Sequence, residues 1–217
     1  MKNILDEIEP EITFTDQEIF TQIWTQPRSV LKYINDNHYD KFVIILMVFA
    51  GIASSFNNAA VRNLGDQLPF FSLLGVCIIG GGLLGWISYY IYAALLSFTG
   101  KWIQGQGDTT SLFRILAYAM IPTIFGLVLL VPQLAIYGAE LYKEDGDIFS
   151  AGFAANIIFW ATLFFEFLLS ICTIIFIVVG VSEVQKLSIG MTILNLIMPI
   201  FLIAIPLLIL NFLARAL

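Results

Sequence analysis

Five apolar stretches, at about residues 42–60, 70–96, 112–137, 152–181 and 189–213, each reach or approach the length that crosses a lipid bilayer. A spanning helix needs about 20 predominantly apolar residues to cover a hydrocarbon layer of roughly 30 Å. With no water in that layer, every backbone polar group must be satisfied within the segment, so stretches of this length fold as helices. The expected fold is therefore all-α: a polytopic bundle of five transmembrane helices. Only 12% of the residues are charged and 59% are hydrophobic, well outside the soluble globular range, and too little chain remains for a separate soluble domain.

The chain divides into an N-terminal segment, 1–40, and a membrane domain, 41–217. No basic start followed by an apolar run is present, which argues against a cleavable signal peptide. The segment 1–26 holds Asp6, Glu7, Glu9, Glu11, Asp16 and Glu18 against Lys2, so it carries most of the formal charge of −6. Such a distribution offers no basic surface to a nucleic acid. Thr15 and Glu18 have capping-box spacing, after which Ile19, Phe20, Ile23 and Trp24 share one helical face. Pro27 opens a second short pattern, with Val30, Leu31 and Ile34 apolar and Arg28 and Lys32 on the other side. Two amphipathic helices with a Trp and basic residues suit the headgroup zone, with Trp24, Arg28 and Lys32 as interfacial anchors.

Within the spans, the exceptions to apolar text are the informative positions. Gly81 and Gly85 form a small-xxx-small pair that lets another helix approach closely. Pro122, Pro132, Pro199 and Pro206 each free a carbonyl four residues earlier and are expected to kink their helices. Glu166 falls at the centre of the fourth run, where a carboxylate costs on the order of 2.5–3.5 kcal/mol and so should face protein or water. Arg114 stands near the start of the third run, able to snorkel to water or, if deeper, to meet Glu166 or a lipid phosphate. Together Glu166, Asn195, Tyr118 and Arg114 make a candidate intramembrane polar cluster. The third and fifth runs, AMIPTIFGLVLLVP and LIMPIFLIAIP, are faintly alike.

Lys2, Arg28, Lys32, Lys41, Lys101, Arg114 and Lys186 fall on the N-terminal side of five spans, against Arg62, Lys143 and Arg215 on the other. The imbalance predicts a cytoplasmic N-terminus and an outside C-terminus in a cytoplasmic (inner) membrane. Cys77 and Cys172 sit in apolar runs without His or Cys neighbours and read as packing residues, so no metal site is expected. No cofactor fingerprint or HExxH occurs, and His38 is the sole histidine.

Three motifs carry a family resemblance: W-x2-P-R at Trp24 to Arg28, a glycine-rich turn at Gly100 to Gly107, and SLFRILAYAMIP, in which Arg114, Ala117, Tyr118 and Pro122 follow an [RK]-x3-[GA]-Y-x3-P pattern. In these the chain resembles the Yip (Ypt-interacting protein) family, in its bacterial branch. The resemblance implies a non-enzymatic membrane protein that associates with other membrane components. The Asp-Leu-Tyr-Gly-Pro element of eukaryotic members is absent, so Rab GTPase binding is not carried over.

Three functions follow as expectations. The first is a scaffold or adaptor in membrane organisation or trafficking, its partners being lipid, other membrane proteins or a soluble cytoplasmic protein at the N-terminal segment, with room for a homo-oligomer. The second is a transporter or lipid-moving protein using the polar cluster. The third and remotest is an intramembrane aspartyl protease, since Gly105-Gln106-Gly107-Asp108 spells GxGD and Tyr39-Asp40 supplies a second aspartate.

Overall fold

The computed structural model describes the backbone of residues 13–216, with side chains described to Pro206 and at Leu208. Lys2, Asp6, Glu7, Glu9 and Glu11, and the side chain of Arg215, thus lie outside the described residues. The described chain is helical, without strands. Helix α1 is Asp16–Gln22, α2 Pro27–Asp36, α3 Val43–Val61, α4 Phe70–Gly75, α5 Gly81–Lys101, α6 Thr109–Ala119, α7 Ile121–Tyr137, α8 Phe153–Gln185 and α9 Ile189–Ala216. Five segments among them are long and apolar enough to cross a membrane.

Local chemistry sets several boundaries. The Thr15 hydroxyl accepts from the Glu18 amide at 3.3 Å and the Glu18 carboxylate accepts from the Thr15 amide at 2.8 Å, a complete capping box opening α1. Pro27 occupies the first turn of α2, where a missing N–H is harmless. A π-helical turn, Val76–Gly80, joins α4 to α5 in one long rod. Lys186 closes α8 in the left-handed conformation, φ 55°.

The third apolar run departs from expectation. It is two helices, α6 and α7, broken at Met120. Pro122 sits in the first turn of α7, so it starts that helix where a kink within one span was expected. Pro132, Pro199 and Pro206 lie inside α7 and α9.

The two amphipathic helices exist, but lipid is not what their apolar faces meet. Ile19, Ile23, Val30, Leu31 and Ile34 are fully buried against the protein, and α2 packs on α6 and α8. The reason is length. At 33 residues α8 is about 50 Å long, far more than a hydrocarbon core needs. Its last two turns, with Gly180, Val181, Val184 and Gln185 buried, present an apolar surface that α2 and α6 cover. The main core therefore gathers at the α1/α2 end, while a smaller one around Phe56, Leu73, Cys77 and Tyr142 lies at the opposite end. Large apolar side chains elsewhere, such as Ile44, Phe71 and Phe167, point outward, as lipid-facing residues do.

Candidate functional site

The four residues of the expected polar cluster do not converge. They fall in three separate centres, because α6 stands apart from α7 and because α8 is long. Glu166 precedes Gln185 by 19 positions, about 28 Å along the helix axis, and it is Gln185 that meets Asn195.

The first centre binds α6 to the N-terminal strap, formed by α1, α2 and the link to α3. Arg114, only 4% exposed, donates from Nε to Asp40 Oδ1 at 2.6 Å and from Nη2 to Oδ2 at 3.2 Å, while Nη1 sits 3.4 Å from His38 Nδ1. This fork holds the link between α2 and α3, and Glu166 has no part in it. One turn later Tyr118 is fully buried, its ring 6.4 Å from Phe20 and 6.1 Å from Tyr39; its hydroxyl has no partner among the described residues. Arg28 Nε donates to Glu183 Oε1 at 2.6 Å. Trp24 packs edge-on against Phe125 and Phe176, and Lys32 is exposed. Asp16 takes hydrogen bonds from Lys41 and Tyr39, which hold its carboxyl below the usual carboxylate range. Burial and then Asp16 push the Tyr39 phenol up to about 12, keeping it a donor at physiological pH.

The second centre is a buried amide hub at the same end. Gln185 accepts from the Gly107 amide at 2.9 Å and donates to Leu96 O at 3.0 Å and Asn195 Oδ1 at 3.2 Å. Asn195 in turn donates to Thr99 Oγ1 at 2.9 Å and Leu96 O at 3.2 Å. The glycine-rich turn wraps this side chain. A Cβ at Gly100 would lie 2.3 Å from Gln185 Nε2, and one at Gly105 2.3 Å from Oε1. The turn then feeds into α6 through Asp108, whose carboxylate accepts from the Thr110 amide at 3.0 Å and the Ser111 amide at 3.3 Å. Asp108 therefore caps a helix, while Asp40 is engaged by Arg114.

The third centre lies toward the other end. Gln133 Nε2 donates to Glu166 Oε1 at 2.9 Å and to Thr162 Oγ1 at 2.7 Å, joining α7 to α8. Close by, the rod formed by α4 and α5 crosses α3 at its glycines. A Cβ on Gly85 would be 2.3 Å from Gly51 Cα, and one on Gly81 2.7 Å from Ser55 Cβ, so the small pair meets α3 of the same chain.

Gln185, Gln133 and Gly51 escaped sequence reasoning. Gln133 gave a usable signal, being a lone amide in an apolar run. Gln185 gave none, since a glutamine beside a helix end is ordinary until the turn closes over it. Among the described residues no group of three or more His, Cys, Asp or Glu side chains could hold a metal ion.

The family model described as the Yip1 domain matches residues 21–210, from the end of α1 into α9. No curated protein and no solved structure matches the chain. The match takes in the N-terminal helices from Thr21 onward, the amide hub and all five spanning segments, and on that extent the chain belongs to the Yip1 domain family.

Proposed function

We propose that this protein is a non-enzymatic membrane scaffold or adaptor, with its N-terminus in the cytoplasm of a cell whose inner membrane it spans. The observation that carries the reading is the separation of its polar residues into three centres. Arg114 is matched by Asp40, Asn195 by Gln185, and Glu166 by Gln133, each pair joining two elements of the bundle. A transport path needs polar groups in succession along one route, whereas these groups fasten elements to one another. The rigid end built from α1, α2 and α6, with Lys32, Lys101 and Lys186 exposed around it, supplies a charged face for a partner. The excess of Lys and Arg at that end supports the orientation.

Reconstitution in liposomes tests this. The expected result is no lipid scrambling and no proton or solute flux above empty vesicles. From native membranes the wild type should sediment in an assembly larger than the chain itself, and the doubly reversed variant Lys32→Glu, Lys186→Glu should leave it. A flux or scrambling signal that Glu166→Gln abolishes would replace the scaffold by a transporter.

A further inference from the structure

Helix α7 packs against both α3 and α8, and the cleft those two leave over it encloses a cavity of about 270 Å³. Its walls are largely apolar, with Phe56, Leu127, Leu130 and Leu169 among them. Its polar lining is Glu166, Gln133 and Tyr142, with Asn57, Thr123 and Ser170 beside them. Tyr142 is only 2% exposed, yet its hydroxyl has no hydrogen-bond partner among the described residues. A buried hydroxyl without a partner is uncommon, because its desolvation goes uncompensated.

The hydrogen bonds determine what the cavity lacks. Both protons of the Gln133 amide nitrogen are engaged, one by Thr162 Oγ1 and one by Glu166 Oε1. The second Glu166 oxygen and the Gln133 carbonyl, both acceptors, are left without a partner among the described residues, and the Tyr142 hydroxyl, which can accept as well as donate, is left so too. No Lys or Arg lines the space. The ion pairs seen among the described residues engage Arg28, Lys41, Arg114 and Lys143 elsewhere. The site thus offers two unpartnered acceptors, one of them a carboxylate oxygen, and a hydroxyl able to serve as a third, with no Lys or Arg among its lining residues.

We propose that this cavity binds the headgroup of a lipid bearing a primary ammonium group. An –NH3+ carries three donors, which the Glu166 and Gln133 oxygens and the Tyr142 hydroxyl oxygen can accept, and its positive charge favours the ionised form of Glu166. Lipid is favoured over a soluble amine by where the mouth lies. Asn57, Ala60 and Ser170 line the cavity, are exposed and belong to membrane-spanning helices, Asn57 and Ala60 within the last five residues of α3, so the opening lies on the spanning flank near the end of that helix, where lipid headgroups meet acyl chains. The lipid's apolar tails then rest on the lipid-facing flank while the headgroup enters. This goes beyond the scaffold reading, because a lipid held as a fixed component neither requires nor excludes a partner at the other end of the bundle.

The test is native mass spectrometry of the full chain released from nanodiscs that contain phosphatidylethanolamine, phosphatidylcholine and phosphatidylglycerol with identical acyl chains. The trimethylated choline headgroup has the same charge without N–H donors. Wild type should retain phosphatidylethanolamine at least about tenfold over phosphatidylcholine, the ratio expected for losing a charge-assisted hydrogen bond. Glu166→Gln should bring that ratio close to one, and Ala60→Trp, which obstructs the mouth without touching the acid, should do the same. Free ethanolamine in millimolar excess should leave the bound lipid in place. Equal retention of the two zwitterionic lipids by the wild type would overturn the proposal. So would an unchanged preference in both variants, or displacement of the lipid by free ethanolamine, which would assign the cavity to soluble amines. The wild-type comparison and Ala60→Trp carry the decision even where Glu166→Gln fails to fold.

Discussion

The side chain of Gln185 occupies the volume that any side chain at Gly105 would need: a Cβ there would stand 2.3 Å from Gln185 Oε1 and 3.0 Å from Gly100 O. Gln185 cannot swing aside without breaking bonds to Gly107, Leu96 and Asn195. The glycines of the turn are thus a steric requirement of one amide, and nothing about the turn needs them to move.

Gly105→Ala should therefore destabilise the protein by about 1–3 kcal/mol, the usual cost of overpacking a filled site. Gly190→Ala in α9, whose Cβ meets nothing within 4 Å, should be neutral or slightly stabilising. Thermal unfolding midpoints of the two variants in the same detergent check the contrast.

Replacing the amide itself tests the hub from the other side. Gln185→Leu keeps much of the volume but leaves the Gly107 amide and the Asn195 carbonyl oxygen without their partner. Two buried polar groups orphaned at once should cost roughly 2–6 kcal/mol, since each carries about 1–3 kcal/mol of desolvation. Hydrogen exchange at the Gly107 amide should rise well above its wild-type rate.

At the crossing of α3 and α5 the clash is with backbone, which cannot yield as a side chain can. Gly85→Ala puts a methyl 2.3 Å from Gly51 Cα and should separate the helices, with a loss of about 3 kcal/mol, the upper end of what overpacking usually costs. Gly82→Ala, three residues earlier, meets Val48 Cγ1 at 3.5 Å and should be tolerated. A cysteine pair across α3 and α5 reports the separation through its crosslinking yield.

Asp108 gives the protein an acid-sensitive joint. Ser111, through its hydroxyl first, and then the Ser111 and Thr110 amides hold the Asp108 carboxyl below its ordinary value. A carboxyl whose pKa is depressed on folding stabilises the protein above its unfolded value of about 3.9 and loses that contribution as the pH falls through the lower folded value. Asp108→Ala should cost about 1 kcal/mol at neutral pH, the typical worth of an N-cap. The difference between wild type and variant should shrink on acidification below about pH 4 and stay constant above about pH 5. Unfolding midpoints taken across that range check the sign.

Much of this architecture was legible from the residues. Length and hydropathy gave the five spanning segments, and Thr15 with Glu18 gave the start of α1. What the strap helices cover was not legible: Ile19, Ile23 and Leu31 state that a face is apolar, not whether lipid or protein meets it, and the answer depended on how far α8 extends. The polar cluster failed for a related reason. Glu166 at the centre of the fourth run and Asn195 within the fifth are both polar groups inside spans, yet Asn195 stands near the start of α9 and is met by Gln185 at the end of α8, many turns from Glu166. Gln185 and Gly51 matter through tertiary approach alone, and one sequence carries no record of that.

The central claim is that the intramembrane polar residues are separate fastenings and not one site. Spin labels at Phe165 and Leu194, both exposed and each next to a polar residue in question, test it directly in a variant with Cys77 and Cys172 replaced. The account predicts a double electron–electron resonance distance above about 25 Å, set by the rise of α8. A distance below about 15 Å would bring Glu166 and Asn195 together and contradict it.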